Sequence, residues 1–184
     1  MTSTAPPRER LLRAAAQLFY AEGVSVGVER LCQTAGVSKR SMYALFTTKD
    51  EVIAEALRVH GPASVASYFP DPAADMPPRE RILHVFARLE ERTAAQAFHG
   101  CPFVNTAIEL HDPAHPASGV ALAFKRELES YFHQHAVSLG APDPQFLAAQ
   151  LTMLFDGAAV RAVMRAAPLD GLALRAATGL LGST

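Results

Sequence analysis

The sequence predicts an all-α protein of roughly nine helices, on three observations. Aliphatic residues recur at the three- and four-residue spacing of a helix face rather than in alternation, and no stretch reads convincingly as a strand. Gly, Pro, Ser and Thr stand at intervals that would start and stop helices. Hydrophobic residues make up 49% of the 184 positions and charged residues only 19%, enough apolar content for an ordered core.

Each element follows from these signals. Pro6 and Pro7 precede RERLLRAAAQLFYAEG, in which Leu11, Ala15, Leu18 and Phe19 share a face and Gly23 supplies a stop. In VERLCQTA, the residues Val28, Leu31, Cys32 and Ala35 repeat the pattern, and Gly36 ends it. Ser38 suits the N-cap of a third helix, SKRSMYALF, with Met42, Leu45 and Phe46 inward and Lys39, Arg40 and Tyr43 outward. Thr48 can cap a fourth helix, with Asp50 and Glu51 at its positive end, running as far as Tyr68 and stopping before Pro70. Further helices are expected over residues 79–97, 104–110, 113–138, 144–166 and 168–181. The Gly- and Pro-rich segment ahead of Pro78 separates the N-terminal helices from these.

The net charge of -1 conceals an asymmetry. Residues 1–60 hold eight Lys and Arg against six Asp and Glu, and the remainder nine against twelve, giving +2 and -3. A basic excess in the N-terminal third is compatible with phosphate contact there. Cys32 and Cys101 are too few for a disulfide framework and too far apart for a metal knuckle. With a polar N-terminus and no apolar run judged long enough for a membrane span, a cytoplasmic protein is expected, with no membrane partner.

The second and third helices, joined by a turn containing Gly36, have the form of a helix-turn-helix, which holds one exposed helix at a fixed angle to a buried one. Lys39 and Arg40 can donate to guanine edges or phosphates, Ser41 to either, and the Tyr43 hydroxyl to a phosphate, with Lys49 a further phosphate contact. A solvated helix in an ordinary bundle would show the same charges. The stretch GVERLCQTAGVSKRSMYALFTTKDEVIAEAL, within residues 8–60, also resembles the DNA-binding signature of the tetracycline-repressor-like (TetR) family of bacterial regulators.

That resemblance implies a three-helix DNA-binding domain over residues 1–48 and a helical ligand-binding and dimerisation domain over 49–184. It places the recognition contacts on Lys39, Arg40, Ser41, Tyr43 and Lys49. It also implies a repressor released from a palindromic double-stranded operator by a small-molecule effector. Three departures stand out: Gly27 replaces the usual Ser or Thr cap, Leu45 a polar or aromatic contact, and the connection from Gly23 to Val28 is one residue short. Fewer phosphate contacts are expected in consequence.

The segment GCPFVNTAIELHDPAHPASGVALAFKRELESYF resembles the effector domain of one branch of the same family. Phe86, Leu89, Phe98, Phe103, Ile108, Phe132 and Phe155 are candidate pocket walls, with Cys101, Asn105, Glu109 and Asp156 to orient a ligand, although plain core packing competes for each aromatic. The last two helices carry small and apolar residues on more than one face, which predicts a homodimer through them. His99, Cys101, Glu109, His111, His115, His133 and His135 form no ligand trio at fixed spacing, so no metal or cofactor is expected. Neither a nucleophile with a base nor a phosphate-cradling Gly loop appears, which argues against an enzyme. A helical protein-interaction module that has lost DNA binding is the alternative to a regulator.

Overall fold

The computed structural model describes residues 5–182, and the regular elements among them are all helices: α1 (Pro7–Glu22), α2 (Val28–Ala35), α3 (Lys39–Leu45), α4 (Lys49–Ala66), α5 (Pro78–Thr93), α6 (Pro102–Leu110), α7 (Pro116–Ser138), α8 (Pro144–Arg165) and α9 (Leu172–Gly182). The expected caps of the N-terminal helices are in place. Ser38 Oγ accepts from the Ser41 N–H at 3.0 Å, and Thr48 Oγ1 from the Glu51 N–H at 3.1 Å. Gly36 adopts the left-handed conformation at φ 63°, ψ 38° and closes α2, its own N–H and that of Val37 returning to the last turn.

Three boundaries move by three residues or more from their sequence positions. α5 stops at Thr93 rather than Ala97, because the next residues turn back in short i to i+3 hydrogen bonds. α7 begins at Pro116 rather than Pro113, because the Asp112 carboxylate accepts from Ala114 N–H and holds a turn there. α9 begins four residues late, after Asp170 and Gly171, both at positive φ.

The chain packs as two compact units, Met1–Ser64 with Pro102–Ala123, and Val65–Cys101 with Phe124–Thr184. The division of function expected at residue 48 is a separate matter from this division of packing. In the first unit, Leu11, Leu12, Ala15, Leu31, Met42, Val52 and Ala56 are almost wholly buried and join α1 to α4 around one core. Cys32 Sγ lies 3.7 Å from Met42 Sδ, so the buried faces of α2 and α3 meet through sulfur. Burial pushes the Cys32 thiol pKa up, which keeps it an unreactive packing group.

The second unit is built on α5, α8 and α9 with the C-terminal part of α7. Phe86 stacks on Phe132 at a centroid distance of 5.8 Å, and Phe155 meets Tyr68 edge-on at 5.2 Å. Glu90 on α5 fixes the start of α9, accepting from the main-chain N–H groups of Gly171, Ala173 and Leu174 at 2.9, 2.8 and 3.2 Å. α8, at 22 residues, is long and apolar enough to cross a membrane by length and composition, contrary to the sequence reading. Its Leu147, Leu151, Phe155 and Ala159 are instead buried in the second unit, where it packs on α5 and α9.

Candidate nucleic-acid interface

α3 is only seven residues long and is held from three sides. Met42 anchors its inner face with no exposed surface, Ser38 caps its first turn, and α1 packs on both α2 and α3. From α1, Arg10 donates to the Gly36 carbonyl at 3.2 Å, placing a cation at the C-terminal end of α2 and tying down the turn. Lys39, Arg40 and Tyr43 then project from a fixed short helix into solvent, Tyr43 with 52% of its surface exposed.

These side chains are not equally available. The Lys39 ammonium is paired with the Glu29 carboxylate across the α2–α3 turn. Ser41 Oγ lies 2.9 Å from Ser38 Oγ and so takes part in the cap. Arg40 is exposed and engages no partner among the described residues, which leaves its guanidinium available to a planar acceptor. Leu45 is 40% exposed, on the same short helix as Tyr43. Gly27 is the N-cap of α2 in extended conformation and supplies no side-chain bond, so the first turn of α2 presents its main-chain N–H groups bare.

Lys49 is half-buried, and its ammonium donates to the Val24 carbonyl at 2.6 Å. Desolvation lowers its pKa, partly offset by Asp50 and Glu109. The Val24 N–H donates to Glu109 Oε2 on α6 at 2.7 Å. Lys49 and Glu109 therefore grip both main-chain groups of one residue in the connection that leads into α2. Gly23 makes this possible: its φ is +88°, and a Cβ there would stand 2.5 Å from Glu109 Oε2. The role of Glu109 was missed in the sequence, where a carboxylate 85 residues from its main-chain donor gives no local signal.

The candidate effector residues are distributed over both units. Phe86, Leu89, Phe132 and Phe155 are at most 2% exposed in the second unit, three of them in its ring cluster. Cys101 is buried there, Phe98 is half-buried, and Asp156 pairs with Lys125. In the first unit Phe103 is buried, Ile108 is 57% exposed and Glu109 is committed to Val24. Asn105 lines a partly open cavity between α1, α4 and α6. Among the described residues no three His, Cys, Asp or Glu side chains converge as metal ligands. His115, for one, accepts from the Ala117 N–H through Nδ1 at 3.1 Å at the start of α7.

A short exposed basic helix, locked by a second helix and a tight turn within an all-helical chain, defines a helix-turn-helix DNA-binding protein. Residues 11–56 match the family model of bacterial regulatory proteins of the tetR family. A TetR transcriptional regulator from Streptomyces avermitilis MA-4680 is 49% identical and superposes with a TM-score of 0.94 over 97% of this chain and 98% of that one. The chain belongs to the TetR family of transcriptional regulators. SCO4454, a TetR-family transcriptional regulator from Streptomyces coelicolor, is 26% identical with a TM-score of 0.82, covering 96% of this chain and 95% of its own. Reduced E. coli NemR, 22% identical, shares the fold at a TM-score of 0.81 over 94% of this chain and 95% of its own. None of the curated proteins matches this chain. The interaction-module alternative is not favoured by these likenesses, and nothing in them points to catalysis.

Proposed function

We propose that the protein is a homodimeric cytoplasmic repressor that reads a palindromic operator through α3 and leaves it when a small-molecule effector binds. The observation that carries the reading is the free, exposed guanidinium of Arg40 on a helix whose inner face and first turn are both fixed. Arg40 is assigned to a base edge, where two parallel donors match guanine. Lys39, Ser41 and Tyr43 are assigned to the adjacent backbone and base positions. Lys49 supports them by holding the connection ahead of α2, with residues 1–48 as the reading part and the rest serving control and assembly.

The dimer reading rests on α8. Phe146, Gln150, Met153, Gly157, Val160 and Met164 follow one another at alternating four- and three-residue steps, the spacing of a helix–helix seam. Of these Phe146, Met153 and Met164 are 61%, 69% and 80% exposed, an apolar stripe that a monomer would leave in water. Small residues in and beside it, Gly157 and Ala158 on α8 with Ala173 and Ala176 on α9, leave a groove for close approach. A two-fold pairing of this face would set two α3 helices a helical turn, or a multiple of it, apart on DNA.

The test is retention of DNA from the protein's own promoter region in a gel shift at rising salt. The expected result is a specific shift whose affinity falls steeply with salt, because bound phosphates displace counterions. No shift at low salt would sink the proposal.

A further inference from the structure

The first unit holds a partly open cavity of about 50 Å³ walled by α1, α4 and α6. Its apolar walls include Phe19, Ile53 and Leu57, and Asn105 and Thr106 add polar groups from α6. Among the described residues no Asp, Glu, Lys or Arg lines it. His60 does, and its Nε2 is buried without a hydrogen-bond partner. A buried ring nitrogen of this kind is rarely left unpaired in a folded protein. The volume admits roughly three to five water-sized groups, which is the scale of a small ligand or of the head of a larger one.

We propose that this cavity is a binding site for a small neutral hydroxyl compound, a monocyclic phenol in the first instance. A carboxylate, phosphate or amine would enter without a counter-charge, which the absence of charged lining residues disfavours. A hydroxyl group both donates and accepts, so it satisfies His60 Nε2 in either tautomer. The hydrocarbon ring then lies against Phe19, Ile53 and Leu57. The site rests on the proposed regulatory function only for its consequence. Lys49 and Ile53 are one turn apart on α4, and Asn105 and Glu109 one turn apart on α6, so a ligand between these helices acts on the two side chains that grip Val24.

The experiment is calorimetric titration of the full chain with phenol, and with toluene as the same shape without the hydroxyl. The Ala16→Leu variant fills the cavity from half-exposed α1, and His60→Leu removes the partner. Expected is saturable phenol binding, weakened at least about tenfold by Ala16→Leu. Toluene on the wild type, and phenol on His60→Leu, should each bind about fivefold more weakly, the value of one hydrogen bond. No saturable phenol binding, binding unchanged in Ala16→Leu, or equal binding of phenol and toluene overturns the assignment. Gel shifts on the same samples keep the two readings apart. A protein that binds phenol but no promoter DNA loses the proposed function and keeps the site, and the reverse result does the opposite.

Discussion

Glu109 on α6 accepts a hydrogen bond from the main-chain N–H of Val24 at 2.7 Å, and so joins a helix late in the chain to the connection that aims the reading head. An ionised acceptor on a main-chain donor is among the stronger protein hydrogen bonds. Because Glu109 is largely exposed, Glu109→Ala is expected to cost only about 1 kcal/mol. That lowers the melting temperature by about 2 to 4 °C and weakens promoter binding. Glu109→Gln keeps an acceptor and should lose about half as much. Unchanged melting and unchanged DNA affinity in Glu109→Ala would show the contact to be incidental.

The pairing of Lys39 with Glu29 makes a prediction opposite in sign to the usual loss on mutation. Both side chains are more than half exposed, so their mutual attraction is weak, while the carboxylate repels phosphate. Glu29→Ala should therefore tighten promoter binding at low salt by about twofold to fivefold, with the gain fading at high salt. Arg40→Ala should cost about 1 to 3 kcal/mol and relax base preference. Lys49→Met should lower thermal stability yet leave the salt slope of DNA binding unchanged, since its ammonium is turned to Val24. A slope reduced by about one would return Lys49 to direct phosphate contact.

Much of this arrangement is legible in the sequence, and the illegible part has a physical cause. Ser38, Gly36 and Thr48 announce their caps because a cap bonds within four residues of itself. The Val24 grip joins residues 25 and 85 positions apart, and nothing local marks either partner. The same distinction separates Phe86, Phe132 and Phe155, whose helical spacing shows that they are inward but not that they pack ring against ring. Neither the cavity beside His60 nor the unpaired state of its Nε2 could be read from composition or periodicity.

Glu55 links stability to acid. A hydrogen bond from Arg58 holds its carboxyl below the usual carboxylate pKa against the opposing effect of burial, and a weaker one from Arg8 adds to the lowering. The folded value is depressed, so on acidification the unfolded chain takes up the proton first. The stabilisation is complete above the ordinary value of about 4.3 and disappears as pH falls through the folded value. Urea unfolding should show Glu55→Gln less stable than wild type by up to about 1 kcal/mol at pH 7, with the two curves converging below about pH 4. A difference that persists at low pH would assign the loss to packing instead.

Glu90 controls the other end of the molecule. Its two carboxylate oxygens accept from three main-chain N–H groups at the start of α9, where the helix dipole also favours negative charge. Glu90→Ala should cost about 1 to 2 kcal/mol and loosen α9. Because Ala173 and Ala176 of α9 border the groove beside the α8 seam, the same change should raise the dimer dissociation constant, measurable by sedimentation equilibrium. A dimer of unaltered strength in a destabilised protein would restrict Glu90 to the fold of its own chain.

The α8 seam is tested by placing a charge where solvent exposure guarantees that the isolated chain tolerates it. Met153 and Met164 are 69% and 80% exposed, so Met153→Glu and Met164→Glu disturb no interior packing. If the stripe is the two-fold contact, each substitution is repeated across the axis and sets like charges in a desolvated interface, which costs several kcal/mol. The double variant should sediment as a monomer with helical circular dichroism intact. Promoter binding should then fall far more than any single α3 contact explains, since a monomer engages one half-site at a time and loses the effective-concentration gain of two joined reading heads. A monomer that binds the full operator as tightly as the parent would separate DNA reading from dimerisation, and a persistent dimer would place the contact elsewhere.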